Sequence, residues 1–178
     1  MSSGSSGSKT YGLVNTALMI CLVLLGTILF RIPVPITQGY VHLGDTMVFL
    51  GVLMLGKRRG AAAAGLGSAL ADVLGGFAFW APWTLVIKSL MAFVTGLILE
   101  RSGRSSKNSR QAGRLVKLAA MAAGGVVMCA GYLAAETVMY GSFAAAVTGL
   151  PWNIGQAGVG MILSMAVFPV IDLSSGNK

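Results

Sequence analysis

The sequence predicts an all-α integral membrane protein: a compact bundle of six transmembrane helices with both termini in the cytoplasm. Three observations carry that expectation. Of the 178 residues, 55% are hydrophobic and only 10% are charged, whereas a soluble domain carries roughly 25% charge. The apolar residues are gathered into runs, several of them close to the ~20 residues a helix needs to cross a bilayer. The Lys and Arg residues sit between and beside those runs, as the positive-inside rule expects. Mean hydropathy is +0.79, and the 25 glycines suit helices whose backbones approach closely in lipid.

Residues 1–9 are Ser- and Gly-rich and read as a disordered tail or an appended linker, without the order of a signal peptide. A single membrane domain is expected over 10–173, followed by a short tail at 174–178. The first span covers 11–30 and ends at Arg31. The segment IPVPITQGYVHLGD holds Pro33, Pro35 and Gly39 and reads as a loop, free to fold back onto the membrane face. The second run, 41–56, is short for a crossing, and Lys57, Arg58 and Arg59 mark the turn after it. The third, 61–79, begins almost entirely with Ala, Gly and Leu. Gly65, Ser68, Ala69 and Asp72 share one face of it by their spacing, so it is a thin helix fit for the middle of a bundle. An aromatic turn at 80–83 leads into the fourth span, 84–100, closed by Glu100 and Arg101. A basic loop precedes the fifth span, 115–140, which carries Glu136 near its far end. A small-residue connector leads to the sixth span, 150–171, where Pro151 suits a helix start because its missing N–H costs nothing there.

Six spans put both termini on one side. All of the 13 Lys and Arg residues except Arg31 and Lys88 fall on that side, which makes it cytoplasmic. The net charge of +8 is thereby a matter of topology and lipid contact rather than of nucleic acid. Cys21 and Cys129 lie in apolar runs and read as packing residues. A lone His42 builds no metal site. The chain shows no phosphate-binding loop, no nucleophile–base set and no paired carboxylates at catalytic spacing, so nothing supports an enzyme. It also lacks the inverted pair of interrupted helices common in secondary transporters.

With this orientation, Tyr40, His42, Trp80, Trp83, Glu136, Tyr140, Trp152 and Asn153 gather near the outer ends of the spans, with Asp72 and Lys88 deeper. Aromatic faces beside a few polar groups suit a pocket for a flat heterocycle. Ionisable groups at membrane depth are costly unless they face protein, water or ligand. Each has a plainer reading as well. Trp80 and Trp152 fit interfacial anchors, Asp72 and Lys88 fit a structural ion pair, Asn153 fits a helix cap, and Glu136 fits a headgroup contact.

Three stretches, LGDTMVFLGVLMLGKRRGAAAAGLGSALADVLGG, WAPWTLVIKSLMAFVTGLILE and LPWNIGQAGVGMIL, resemble the substrate-binding S component of an energy-coupling factor (ECF) vitamin transporter. The likeness runs over about 11–171. It implies a multi-pass protein of a prokaryotic plasma membrane that captures a vitamin or precursor from outside. Its expected partners are a transmembrane coupling subunit (EcfT-like) and two cytoplasmic ATPases. The chain itself would need no cofactor; ATP and Mg would be used by the ATPases. The S component would deliver its pocket inward by toppling in the membrane. Family members meet the coupling subunit through Ala-x-x-x-Ala on the first helix, matched here by Ala17-x-x-x-Cys21; the face with Ala61, Ala64 and Gly65 is a second candidate. Within the resemblance, Trp80 and Trp83 are candidate stacking faces, Lys88 and Asn153 donors, and Glu136, Asp72 and His42 acceptors or ordering groups, with Tyr40 beside them. The expected ligand is of the hydroxymethylpyrimidine or pyridoxine class, with riboflavin as the second choice. A stand-alone small-solute permease is the rival outside this family.

Overall fold

A computed structural model describes residues 4–34, 39–102 and 113–175. The tail ends, Pro35 and most of the basic loop expected before the fifth span lie outside the described residues. The order of elements is α1 (Gly4–Leu29), β1 (Arg31–Val34), β2 (Gly39–His42), α2 (Gly44–Leu74), α3 (Ala81–Ser102), α4 (Arg114–Tyr140), α5 (Phe143–Val147) and α6 (Leu150–Ser175). Helix α1 reaches back into the stretch expected to be a tail. Among the described residues, four segments are long and apolar enough to cross a membrane: Lys9–Leu29, Ala81–Ser102, Arg114–Tyr140 and Phe143–Asp172.

The second and third expected runs are joined in α2, which is not straight. Gly56 has φ 77° and ψ −179°, a backbone state that only glycine adopts cheaply. Beyond it the chain doubles back. A Cβ placed on Gly60 would stand 2.8 Å from the Cα of Val52, although residues eight apart in a straight helix are separated by about 12 Å. The Lys57–Arg58–Arg59 turn is therefore real, but it is made by one glycine rather than by a loop. At this end Lys57 meets Glu100 at 2.7 Å, the Arg59 guanidinium lies against Gly12, and Lys117 stands 4.3 Å from the Phe168 ring centre.

The segment after Arg31 departs from the expected loop. Strands β1 and β2 pair antiparallel, with Ile32 opposite Val41 and Pro33 opposite Tyr40. A two-stranded pair leaves half of each strand's N–H groups unpaired, which is where proline is tolerated in a strand. The hairpin packs against α1 and α6 at the end of the bundle opposite Lys57 and Glu100. The α2 helix forms the centre, flanked by α1 and α3, with α4 on α3 and α6 on both α2 and α4. Phe49, Leu53, Met91, Met121 and Met128 are fully enclosed there. The thin Ala/Gly arm of α2 does face protein: Ala63 and Ala64 have no exposed surface, and Gly65 lies against Leu85 and Ser89 of α3. Ala64 and Gly65 are thus spent on packing inside the bundle and do not form an outward face. Ala17 and Cys21 are exposed.

Candidate functional site

At the hairpin end, the start of α2, the end of its second arm, the start of α3, the end of α4 and the start of α6 converge. Thr27, Tyr40, Val41, His42, Ser68, Asp72, Trp80, Thr84, Tyr132, Glu136, Gly149, Trp152, Asn153 and Gln156 enclose a cavity there. It leaves about 50 Å³ for the centres of water-sized groups, several times the ~10–15 Å³ that one water requires.

Trp80 forms one wall. It opens α3 after the turn through Gly75 and Gly76, its N–H donating to the Phe77 carbonyl at 2.8 Å. Only 4% of it is exposed, and its ring stands near-edge-on to Tyr132 at 6.1 Å and Tyr140 at 6.4 Å. Tyr40 forms the opposite side. Its hydroxyl donates to Asp72 Oδ1, its ring packs 4.8 Å from Phe77, and the Arg31 guanidinium covers its face at 4.4 Å. Arg31 also donates to the Gly75 carbonyl at 3.2 Å, tying the hairpin to the end of α2. Burial, with the Asp72 carboxylate beside it, pushes the Tyr40 hydroxyl above the ordinary phenol range, so it stays a donor. Glu136 comes from the last turns of α4. The α5–α6 connector passes so close that a Cβ on Gly149 would stand 2.9 Å from Glu136 Oε1 and would push the carboxylate aside.

Behind the cavity lies an ion pair that the sequence reading did not anticipate. Lys88 Nζ meets Asp45 Oδ1 at 2.5 Å, with neither side chain exposed. Lys88 also approaches Met128 Sδ at 2.9 Å. Asp45 Oδ2 accepts from Gln156 Nε2 at 2.8 Å, and Gln156 Oε1 accepts from the His42 backbone N–H at 3.0 Å. The expected alternative, an ion pair between Lys88 and Asp72, is corrected: Lys88 belongs to Asp45 and Asp72 to Tyr40. The reason is depth, because Asp72 sits near the end of its helix while Lys88 points inward at the start of α2.

Of the ten side chains expected to gather at this end, the structure brings Tyr40, His42, Asp72, Trp80, Glu136, Trp152 and Asn153 to the cavity, with Tyr140 behind Trp80. Lys88 stands behind the lining. Trp83 is 38% exposed and is not part of the lining. Thr27, Ser68, Thr84, Tyr132 and Gln156 line the cavity unforeseen. Small hydroxyls in apolar runs look like ordinary packing residues. The one usable signal was Asp45, an acid at the mouth of an apolar run with no partner in its own helix.

His42 is 9% exposed, and its Nδ1 accepts from the Gly44 N–H at 3.0 Å. Burial first, then the positive charges of Lys88 and Arg31, lower its pKa to about 3. The folded value lies below the unfolded ~6.5, so its contribution is complete above ~6.5 and is lost as the pH falls toward 3. Wild type should lose about 2 kcal/mol more than His42→Asn between pH 7 and pH 5. Thermal melts of the two proteins in detergent at both pH values check this; equal losses would show that His42 titrates freely.

Comparison with known proteins adds to this geometry. Residues 7–172 match the family model "ECF-type riboflavin transporter, S component". An uncharacterized Pyrococcus woesei protein is 36% identical over 156 residues, covering 82% of this chain and 97% of its own. The thiamine precursor transporter HmpT of Lactococcus lactis subsp. cremoris is 28% identical over 145 residues, covering 81% of this chain and 77% of its own. A solved S component of a bacterial ECF transporter superposes with a TM-score of 0.68 at 14% identity, over 92% of this chain and 96% of that one. That likeness concerns the fold alone.

Proposed function

Because this chain belongs to the ECF-type riboflavin transporter S-component family, we propose that it captures a small aromatic vitamin or precursor with high affinity for an ATP-driven importer. In this reading the backbone crosses the membrane six times, α2 contributing two crossings joined at Gly56. The end bearing Lys57, Arg58 and Arg59 and both termini face the cytoplasm, following the positive-inside rule. The cavity opens outward and is delivered inward by reorientation of the whole bundle. An EcfT-like coupling subunit and two ATPases are the partners, and the exposed Ala17 and Cys21 face of α1 is the proposed contact. The chain acts as a transport subunit and carries out no chemistry of its own.

One observation carries the reading. Thr27 Oγ1, Ser68 Oγ, Asp72 Oδ2, Trp80 Nε1 and Glu136 Oε2 are buried, line one cavity and make no hydrogen bond. Unpaired buried polar atoms are costly, and five on residues that line one cavity fit a ligand's donors and acceptors. The modest cavity favours a single ring of the hydroxymethylpyrimidine or pyridoxine class, and the likeness to HmpT supports the same class. Riboflavin is the second reading, favoured by the description of the matching family. Titration calorimetry of the purified chain without ATP tests both. One equivalent of a single-ring vitamin should bind with submicromolar affinity and quench tryptophan fluorescence. If hydroxymethylpyrimidine, pyridoxine and riboflavin all leave the heat, the fluorescence and the melting temperature unchanged, the proposal fails.

A further inference from the structure

The unpaired atoms also fix the charge that the cavity accepts. Among the described residues its lining contains two carboxyl groups, Asp72 and Glu136, and no Lys or Arg. The nearby cations, Lys88 and Arg31, lie outside it. Lys88 is enclosed against Asp45; Arg31 lies outside the lining, behind the Tyr40 ring, with Nη1 on the Gly75 carbonyl and its buried Nε and Nη2 without a partner. His42 lines the cavity uncharged, with Nδ1 taken up by the Gly44 N–H. Asp72 keeps Oδ2 without a partner, and Glu136 keeps Oε2 without one. Carboxylate oxygens enclosed in this way accept hydrogen bonds most strongly from N–H groups, above all cationic ones. The donors on offer in return are the indole N–H of Trp80 and the hydroxyls of Thr27 and Ser68, which suit a ring nitrogen or an alcohol oxygen. None of them supplies the charge that a phosphate or carboxylate would need on leaving water.

We infer that the cavity takes a small single-ring heterocycle presenting an amine or ring N–H to Asp72 and Glu136, in neutral or cationic form, and excludes the same ring carrying a phosphate ester or carboxylate. This rests on the vitamin-capture reading and narrows it to one chemical state of the ligand. The importer would then deliver the free alcohol, and any phosphorylation of it belongs to a reaction inside the cell.

The test is titration calorimetry of the full chain in detergent with hydroxymethyl aminopyrimidine and its monophosphate, pyridoxine and pyridoxine phosphate, and riboflavin. The free rings should bind at least ~100-fold more tightly than their esters, because no cation on the lining offsets the cost of taking a phosphate out of water. Glu136→Gln, nearly the same shape, should weaken the free ring by about tenfold and so narrow the gap to its ester, since an amide is a poorer acceptor for the ligand's N–H than a carboxyl group. Its melting temperature, measured alongside, separates lost binding from lost folding. An ester that binds within ~3-fold of its alcohol in wild type overturns the charge inference while the vitamin reading stands. Binding of riboflavin alone overturns the single-ring inference in the same way. Binding of none of the five removes the vitamin reading and this inference with it.

Discussion

Lys88→Met is expected to destabilise the protein by about 3–5 kcal/mol, because removing one partner of an enclosed ion pair leaves the other charge uncompensated. Neither Lys88 nor Asp45 has any exposed side-chain surface. Methionine fills nearly the same volume, so the loss measures charge rather than a void. At about 2–4 °C per kcal/mol for a chain of this size, the melting temperature should fall by roughly 10 °C. Asp45→Asn should repair most of the damage in the Lys88→Met background. Its amide oxygen still accepts from Gln156 Nε2, which Asp45 Oδ2 now does at 2.8 Å, and no charge remains buried. If the double variant is no more stable than Lys88→Met alone, the pair is not what Lys88 contributes. The network also holds the cavity wall, since Gln156 joins Asp45 to the His42 backbone. Lys88→Met should therefore weaken ligand binding without Lys88 touching the ligand.

Trp80→Ala is expected to weaken binding of the vitamin ligand by about 100-fold. Stacking of a heterocyclic base on an aromatic ring contributes about 1–3 kcal/mol, and the indole N–H adds a hydrogen bond of about 0.5–1.5 kcal/mol. Each 1.4 kcal/mol or so is tenfold in affinity. Trp80→Phe keeps an aromatic face, though a smaller one, and removes the donor, so it should cost about 3–10-fold. Trp83→Ala is the control, because Trp83 is exposed and outside the cavity; it should bind within about twofold of wild type. A Trp83→Ala loss as large as that of Trp80→Ala would place the ligand elsewhere. Trp80→Ala also opens a void beside Tyr132 and Tyr140, at a cost of about 3–5 kcal/mol in stability. The affinities are therefore compared at a temperature where both variants remain folded.

The two tryptophans show where the sequence reading stopped. Both stand in the WAPW turn, and composition treats them alike. Which one faces the cavity depends on where α3 starts, and that is set by the Gly75–Gly76 turn and the hydrogen bond from the Trp80 N–H to Phe77. The same holds for the charges. Lys88 needed an acid, and the sequence offered Asp45, Asp72 and Glu136. Only the depth of each in the packed bundle chose Asp45. The hairpin of β1 and β2 was hidden by Pro33, which reads as a loop residue until a partner strand is present.

By itself the sequence determined the solvent. So many apolar residues and so few charges cannot form a soluble surface, and the clustering of Lys and Arg at the ends of the runs is a local property that needs no tertiary contact. It also fixed the Gly/Lys/Arg turn, the thin arm after it and the gathering of aromatic and polar groups near one end, because these follow from order along the chain. Tertiary structure alone decided which of those groups share a cavity, which are consumed by one another, and which small hydroxyls complete the lining. Those are distances between helices far apart in sequence, set by close packing at Gly60, Gly65 and Gly149, where the absence of a side chain is informative only once the neighbour is known.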